Sequence, residues 1–278
     1  MTMLKLSLCN EVLRGRPFHE QCELAAALGC SALELAPFTL TEDPFELNEA
    51  AGSRLRAQAA GFGIAISSLH WLLAAPPGLS IATPDAPRRT HALELMQRLV
   101  DFAAACDAQV LVHGSPAQRA PDPGQPLADA VARCVDAWAQ AAGWAQARGV
   151  TYCIEPLSPA ETRVVNRLQD AAAIVRRIGS PALRTMFDLS AASAGESEPP
   201  QEALRRHLDV VAHVQLNDAN RRGPGQGGTP VAPVLRVLRD GGYTGWIALE
   251  PFDYHPEPLA CAAASAAYVR GAWEALTS

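Results

Sequence analysis

The sequence predicts one closed (β/α)8 barrel, an α/β fold in a single domain covering residues 1–278. Three observations predict it. Short β-type runs alternate with Ala-, Leu- and Arg-rich stretches of helical spacing. Eight such runs can be traced, and strands alternating with helices at this rhythm make a parallel sheet that eight units can close. The last four runs each end on a polar residue, Glu155, Asp188, Gln215 and Glu250, separated by 33, 27 and 35 residues, each gap about one strand–helix unit.

The eight runs fall near residues 4–9, 32–35, 64–69, 109–113, 150–155, 183–188, 211–217 and 246–250, and the second is the least strand-like. The clearest helical stretches are 89–105, 127–147, 168–178, 231–240 and 258–276. Gly follows several helices, in Leu28-Gly29, Arg148-Gly149 and Asp240-Gly-Gly242, where a left-handed cap is expected. Pro-rich stretches at 74–78, 114–126 and 194–200 follow strands. The first two are expected to form walls or a lid over the barrel mouth, and the third serves equally as a plain surface connection.

With 278 residues, 49% of them hydrophobic, the chain can build one large core, and no interdomain linker stands out. The formal net charge is −6 and there is no basic tract, which argues against nucleic acid and anionic membrane as partners. The amino-terminal segment is too short and too polar at its flanks for a signal peptide, and no apolar run approaches the roughly 18 residues of a membrane span. Seven scattered cysteines without a CxxC pair fit buried thiols in a reducing cytoplasm. The chain has no P-loop, GxGxxG fingerprint or GxSxG elbow, which argues against nucleotide-driven, nicotinamide and serine-hydrolase chemistry.

In a parallel barrel the carboxyl ends of the strands meet at one mouth. Glu155, Asp188, Gln215 and Glu250 would therefore gather around one point. Three packed carboxylates repel one another unless a cation neutralises them, and oxygen donors suit a hard divalent ion. The expected cofactor is one divalent metal, Mn²⁺ or Mg²⁺ first, with Co²⁺ or Zn²⁺ as alternatives. A Glu that ends an apolar strand and precedes Pro occurs twice, in Ile154-Glu-Pro156 and Leu249-Glu-Pro251. Either one alone could be a structural ion pair at a strand end. Together with Asp188 at a matched position they point to catalysis.

His213, Gln215 and Asn217 share one face of a strand. Gln215 ranks ahead of His213 as a ligand because it lies nearer the carboxyl end, which leaves His213 as a hydrogen-bonded core residue. The Gly-rich stretch 220–228 follows, and Arg221 or Arg222 could bind substrate oxygens or a carboxylate. His70 and Trp71 end the third strand and His113 ends the fourth. All three are expected at the mouth, lining a sugar pocket, with Glu34 a weaker member of the set.

These residues resemble the xylose-isomerase-like TIM barrel superfamily, in its sugar phosphate isomerase/epimerase branch, which includes hydroxypyruvate isomerase and the ketose 3-epimerases. The resemblance covers nearly the whole chain and is sharpest from Thr151 to Pro251. It implies metal ligands at Glu155, Asp188, Gln215 and Glu250. Gln in the third place is closer to hydroxypyruvate isomerase than to the epimerases, which carry His there. It also implies that Glu161 supports the catalytic carboxylate and that Arg221 contacts substrate. One departure stands out: relatives usually have His three residues after the strand-six Asp, and here that residue is Ala191. Endonuclease IV, a more distant relative, needs further His residues that Ala191 and the loop after Arg221 do not supply.

The expected activity is isomerisation or epimerisation of a small sugar or hydroxy-carbonyl compound. Glu155 and Glu250 would act in turn as general base and acid across a metal-stabilised enediolate. The departure at Ala191 raises a lyase or dehydratase acting through the same enediolate. A catalytically silent barrel that binds a sugar or a partner subunit is the third reading. The expected partner is a small carbohydrate, and the resemblance adds a homo-oligomer joined through apolar helix surfaces.

Overall fold

The computed structural model describes residues 3–277; residues 1, 2 and 278, which the single-domain expectation also spans, lie outside the described residues. The first half of the chain runs β1 (Leu6–Cys9), α1 (Phe18–Ala27), β2 (Ala32–Leu35), α2 (Glu49–Ala60), β3 (Ala65–Leu69), α3 (Ala86–Ala105), β4 (Val110–His113) and α4 (Leu127–Arg148). The second half runs β5 (Thr151–Ile154), α5 (Leu168–Ile178), β6 (Leu183–Asp188), α6 (Leu189–Gly195), α7 (Pro200–His207), β7 (Val211–Leu216), α8 (Ala232–Asp240), β8 (Ile247–Leu249) and α9 (Pro258–Thr277). The strands pair in sequence order, all parallel, and β8 returns to β1 to close the barrel. Gly149 ends α4 in the left-handed region (φ 70°), where its N–H bonds back to the last turn; a side chain would strain that cap.

Two sequence expectations change. The 194–200 stretch is not wholly a loop, because α6 runs directly from β6 to Gly195 and α7 begins at Pro200. β5, β7 and β8 each end one residue early, so Glu155, Asn217 and Glu250 sit just beyond their strands. Glu155 and Glu250 keep the strand register, since their N–H groups donate to His113 O (3.3 Å) and Leu216 O (3.0 Å).

Alternation along the strands separates a barrel interior from the layer under the helices. Leu111, Tyr152, Ile154, Phe187 and Leu249 join the large outer core. Val110, Val112, Cys153 and Met186 form a small cluster of their own, the apolar side of the interior. Two bulges set the opposite side. Between β2 and β3 the register slips so that Ser67 is the extra residue and Glu34 pairs with Ser68. Between β6 and β7 it slips at Ala212, so that Met186 pairs with His213 and Asp188 with Gln215. A bulge re-aims the side chains that follow it. Here the bulge at Ser67 turns Ser68, and the bulge at Ala212 turns His213 and Gln215, toward Glu34, which faces inward by the ordinary alternation of β2. No helix among the described residues is long and apolar enough to cross a membrane.

Candidate active site

At the carboxyl end of the barrel, Glu155 and Glu250 line one pocket with His70, Trp71, Glu161 and Phe252. Trp71 holds φ 52°, a conformation bulky residues rarely adopt and one that recurs at functional sites. Burial holds the Glu155 proton well above the usual carboxylate range, and the charges of Glu250 and Asp188 add to it. Glu250 is raised in the same way, by burial first and then by Asp188, Glu34 and Glu11. Burial also lifts Asp188, to about 6, against two hydrogen bonds that favour its charged form. Three carboxylates that repel one another in a dry site are what a cation would relieve.

Each carboxylate is positioned by a different device. Asp188 caps α6, its Oδ1 accepting from Ala191 N at 2.6 Å. Asn217 clamps it from just beyond β7: Nδ2 donates to Asp188 Oδ2 (2.7 Å) while Oδ1 accepts from Ser190 N (2.8 Å). Glu250 Oε1 lies 3.0 Å from His70 Nδ1, and the other nitrogen of His70 is 3.3 Å from Glu11 Oε2. Ligand atoms of Glu11, His70 and Glu250 fall within 4.8 Å of one another, close enough to hold a cation. The Glu155 carboxylate accepts no hydrogen bond among the described residues. It rests against Gly114, where a methyl group would collide with its Oε2. Buried Arg119 donates to the Glu155 carbonyl at 2.7 Å.

Gln215 supplies the test of fit for a metal. Its Nε2 donates to Glu34 Oε1 at 2.7 Å, while its buried Oε1 has no hydrogen-bond partner among the described residues. A buried acceptor left unmade costs about 1–3 kcal/mol. A hard cation would satisfy it.

The structure also corrects one sequence expectation. His113 does not face the mouth. It points outward, its Nδ1 2.7 Å from Tyr152 Oη and its ring edge-on to Trp138 of α4 at 6.0 Å. Val112 faces the interior, so the neighbouring position must face the helices. Glu161 lines the pocket, but its oxygens are held by Ser158 (Oγ, 2.7 Å) and Arg221 (3.4 Å), with no hydrogen bond to Glu155 among the described residues. Of the two arginines, Arg221 is at the pocket rim, stacked 4.3 Å over Phe252, whereas Arg222 pairs with Asp253. His213 is a hydrogen-bonded core residue, with Nε2 2.6 Å from Glu34 Oε2. Sequence reasoning missed Glu11, Asn217 as a clamp, and Arg119. It underrated Glu34, a lone acid between leucines in Ala32-Leu-Glu-Leu35, which was the available signal.

Comparison with known proteins places the fold in a family. D-psicose 3-epimerase of Agrobacterium fabrum is 26% identical over 237 residues, 84% of this chain and 79% of that protein. 2-Oxo-tetronate isomerase of Cupriavidus necator is 30% identical over 113 residues, 40% of this chain and 43% of that protein. The crystal structure of D-psicose 3-epimerase in the presence of D-fructose superposes with a TM-score of 0.84 at 22% identity, covering 97% of this chain and 99% of that one. The family model described as xylose isomerase-like TIM barrel matches residues 22–271. The chain belongs to the xylose isomerase-like TIM barrel family.

Proposed function

We propose that this protein is a divalent-metal-dependent isomerase or epimerase of a small ketose or hydroxy-carbonyl compound. The observation that carries it is the pairing of Glu155 and Glu250 on one pocket, each with a raised proton affinity, together with the buried, unpartnered Oε1 of Gln215. Relatives named as 3-epimerases and as an isomerase support the same class.

Glu155, Asp188, Gln215 and Glu250 would hold the metal, which when bound polarises the substrate carbonyl and acidifies the adjacent C–H. The chain's own residues do the rest. One of Glu155 and Glu250 takes the proton from carbon through a carboxylate oxygen, and the other returns a proton to the neighbouring carbon or to the opposite face. Their environments differ: Glu250 Oε1 is in hydrogen-bond contact with His70 Nδ1, while the Glu155 carboxylate has no hydrogen-bond partner among the described residues and feels the nearby Arg119 guanidinium. His70 holds Glu250 toward the pocket. Trp71 and Phe252 wall the site, and Arg221 and Glu161 stand at its rim to orient substrate hydroxyls.

The test is incubation of Mn²⁺-loaded protein with ketoses and small oxo-hydroxy acids in deuterated water, followed by NMR. Deuterium entering at the carbon next to the carbonyl, with substrate mass otherwise conserved, is the expected result. No exchange on any substrate, with metal bound, would favour the silent barrel. A second reading, β-elimination through the same enediolate, rests on Ala191, whose N–H is spent on Asp188 and whose methyl offers no hydrogen bond to a substrate oxygen. Loss of water from the product would favour it.

A further inference from the structure

We propose that Glu34 is a positioning residue that fixes which end of the Gln215 amide faces the metal. The proposal rests on the metal site described above. The two ends of a glutamine amide have nearly the same shape and opposite chemistry: the oxygen can bind a hard cation, whereas the NH₂ end presents hydrogens to it. A neutral amide ligand therefore needs something on its far side to select the useful orientation.

Glu34 provides that selection by geometry. It is fully buried at the end of β2, across the barrel interior from β7. Its Oε1 accepts from Gln215 Nε2 at 2.7 Å. Its Oε2 accepts from Ser68 Oγ at 3.0 Å and lies 2.6 Å from His213 Nε2. With donors on both oxygens, the carboxylate is fixed and acts only as an acceptor. Reversing the Gln215 amide would set oxygen against oxygen at 2.7 Å, a separation with no room for anything between them. The same hydrogen bond leaves Gln215 Oε1 as the buried, unpartnered atom. The bulge at Ala212 turns Gln215 toward Glu34, and the bulge at Ser67 sets Ser68 against the other oxygen of that carboxylate, so the device depends on both register slips.

Metal affinity of the stripped full-length chain, measured by calorimetric titration with Mn²⁺, tests it. Loss of a group that orients a metal ligand typically weakens affinity about 10–100-fold, and Glu34→Gln is expected in that range. The charge-swapped double variant Glu34→Gln with Gln215→Glu is expected to recover to within about threefold of wild type. A carboxylate at 215 offers oxygen from either end, and an amide at 34 can donate to it. A merely structural Glu34 would leave the double variant as weak as the single one. Glu34→Asp, which keeps the acceptor but shortens its reach, is expected to fall between, and it carries the test if Glu34→Gln does not fold. Wild-type affinity in Glu34→Gln, or a double variant no better than the single, would overturn the role of Glu34. If Gln215→Ala still weakens binding, the metal site itself stands. A folded wild type that binds no Mn²⁺ would overturn both.

Discussion

The interior of this barrel has two unlike walls. Across β4, β5 and β6 it is Val110, Val112, Cys153 and Met186, with no polar side chain in the cluster. Across β1, β2, β3 and β7 it is a chain of hydrogen bonds: Ser7 to Ser67 (2.7 Å), Ser67 to Ser68 (2.9 Å), Ser68 to Glu34, and Glu34 to His213 and Gln215. The two candidate catalytic carboxylates inherit the difference. Glu250 stands beside the wired wall and is held by His70. Glu155 stands above the apolar wall and is held by shape, against Gly114, with Arg119 fixing its backbone. One acid is thus placed by hydrogen bonds and the other by packing. The second accepts no hydrogen bond on its carboxylate among the described residues, and the buried Arg119 guanidinium offsets its charge only in part, so its behaviour should follow the metal more closely.

The sharpest way to break this comparison is to neutralise each acid in turn. Glu155→Gln and Glu250→Gln are each expected to lower kcat about 10²–10⁴-fold while the fold is kept, as removal of a general acid or base does. Turnover surviving in either one, measured with Mn²⁺ bound, would leave the other as the sole proton carrier. A cut into the apolar wall should act on stability alone. Met186→Ala is expected to cost about 2–5 kcal/mol in urea unfolding, with Mn²⁺ affinity unchanged. Gly114→Ala should do the reverse: a displaced Glu155 is expected to lower kcat about 10²-fold, with little change in the melting temperature.

The smallest expected effect is on pH dependence. Burial raises Asp188 from its ordinary 3.8 to about 6, so the folded chain keeps a proton that the unfolded chain has released. Without a cation, that contribution to stability is fully present below 3.8 and is lost as pH rises through about 6. Glu34 runs the opposite way. His213 and His70 outweigh its burial and hold it at about 2, so its contribution is present above 4.5 and lost as pH falls through about 2. Stability of metal-stripped protein, read from melting, is expected to fall as pH rises across the Asp188 window, by an amount on the order of 3 kcal/mol, and Asp188→Asn should make the curve shallower. A wild-type profile as flat as the variant's would mean that Asp188 is not desolvated.

Much of this was legible in the sequence because it depends on period and spacing. Glu155 and Glu250 stand out as acids ending apolar runs before Pro, and their separation marks the repeat of the barrel. What was hidden depends on parity within strands. A bulge shifts the face of every residue after it, and neither Ser67 nor Ala212 carries a local signal for one. His113 ends its strand on the helix-facing side because its neighbour Val112 faces inward. Glu11 and Arg119 come from loops, where no period reports direction. α6 and α7 escaped notice because a stretch rich in Ser, Gly, Glu and Pro reads as a connection, while Asp188 starts the helix from within the strand.

All seven cysteines are free and buried, and they are spread over both walls and the helix layer. Cys153 belongs to the apolar cluster, and a ligand atom of Cys9 lies within 4.8 Å of Glu34 and His70. The molecule therefore carries its own reporters of transient opening: a thiol reagent can reach either sulfur only when that wall breathes. The order in which the two are labelled would rank the local opening of the two walls without any engineered probe.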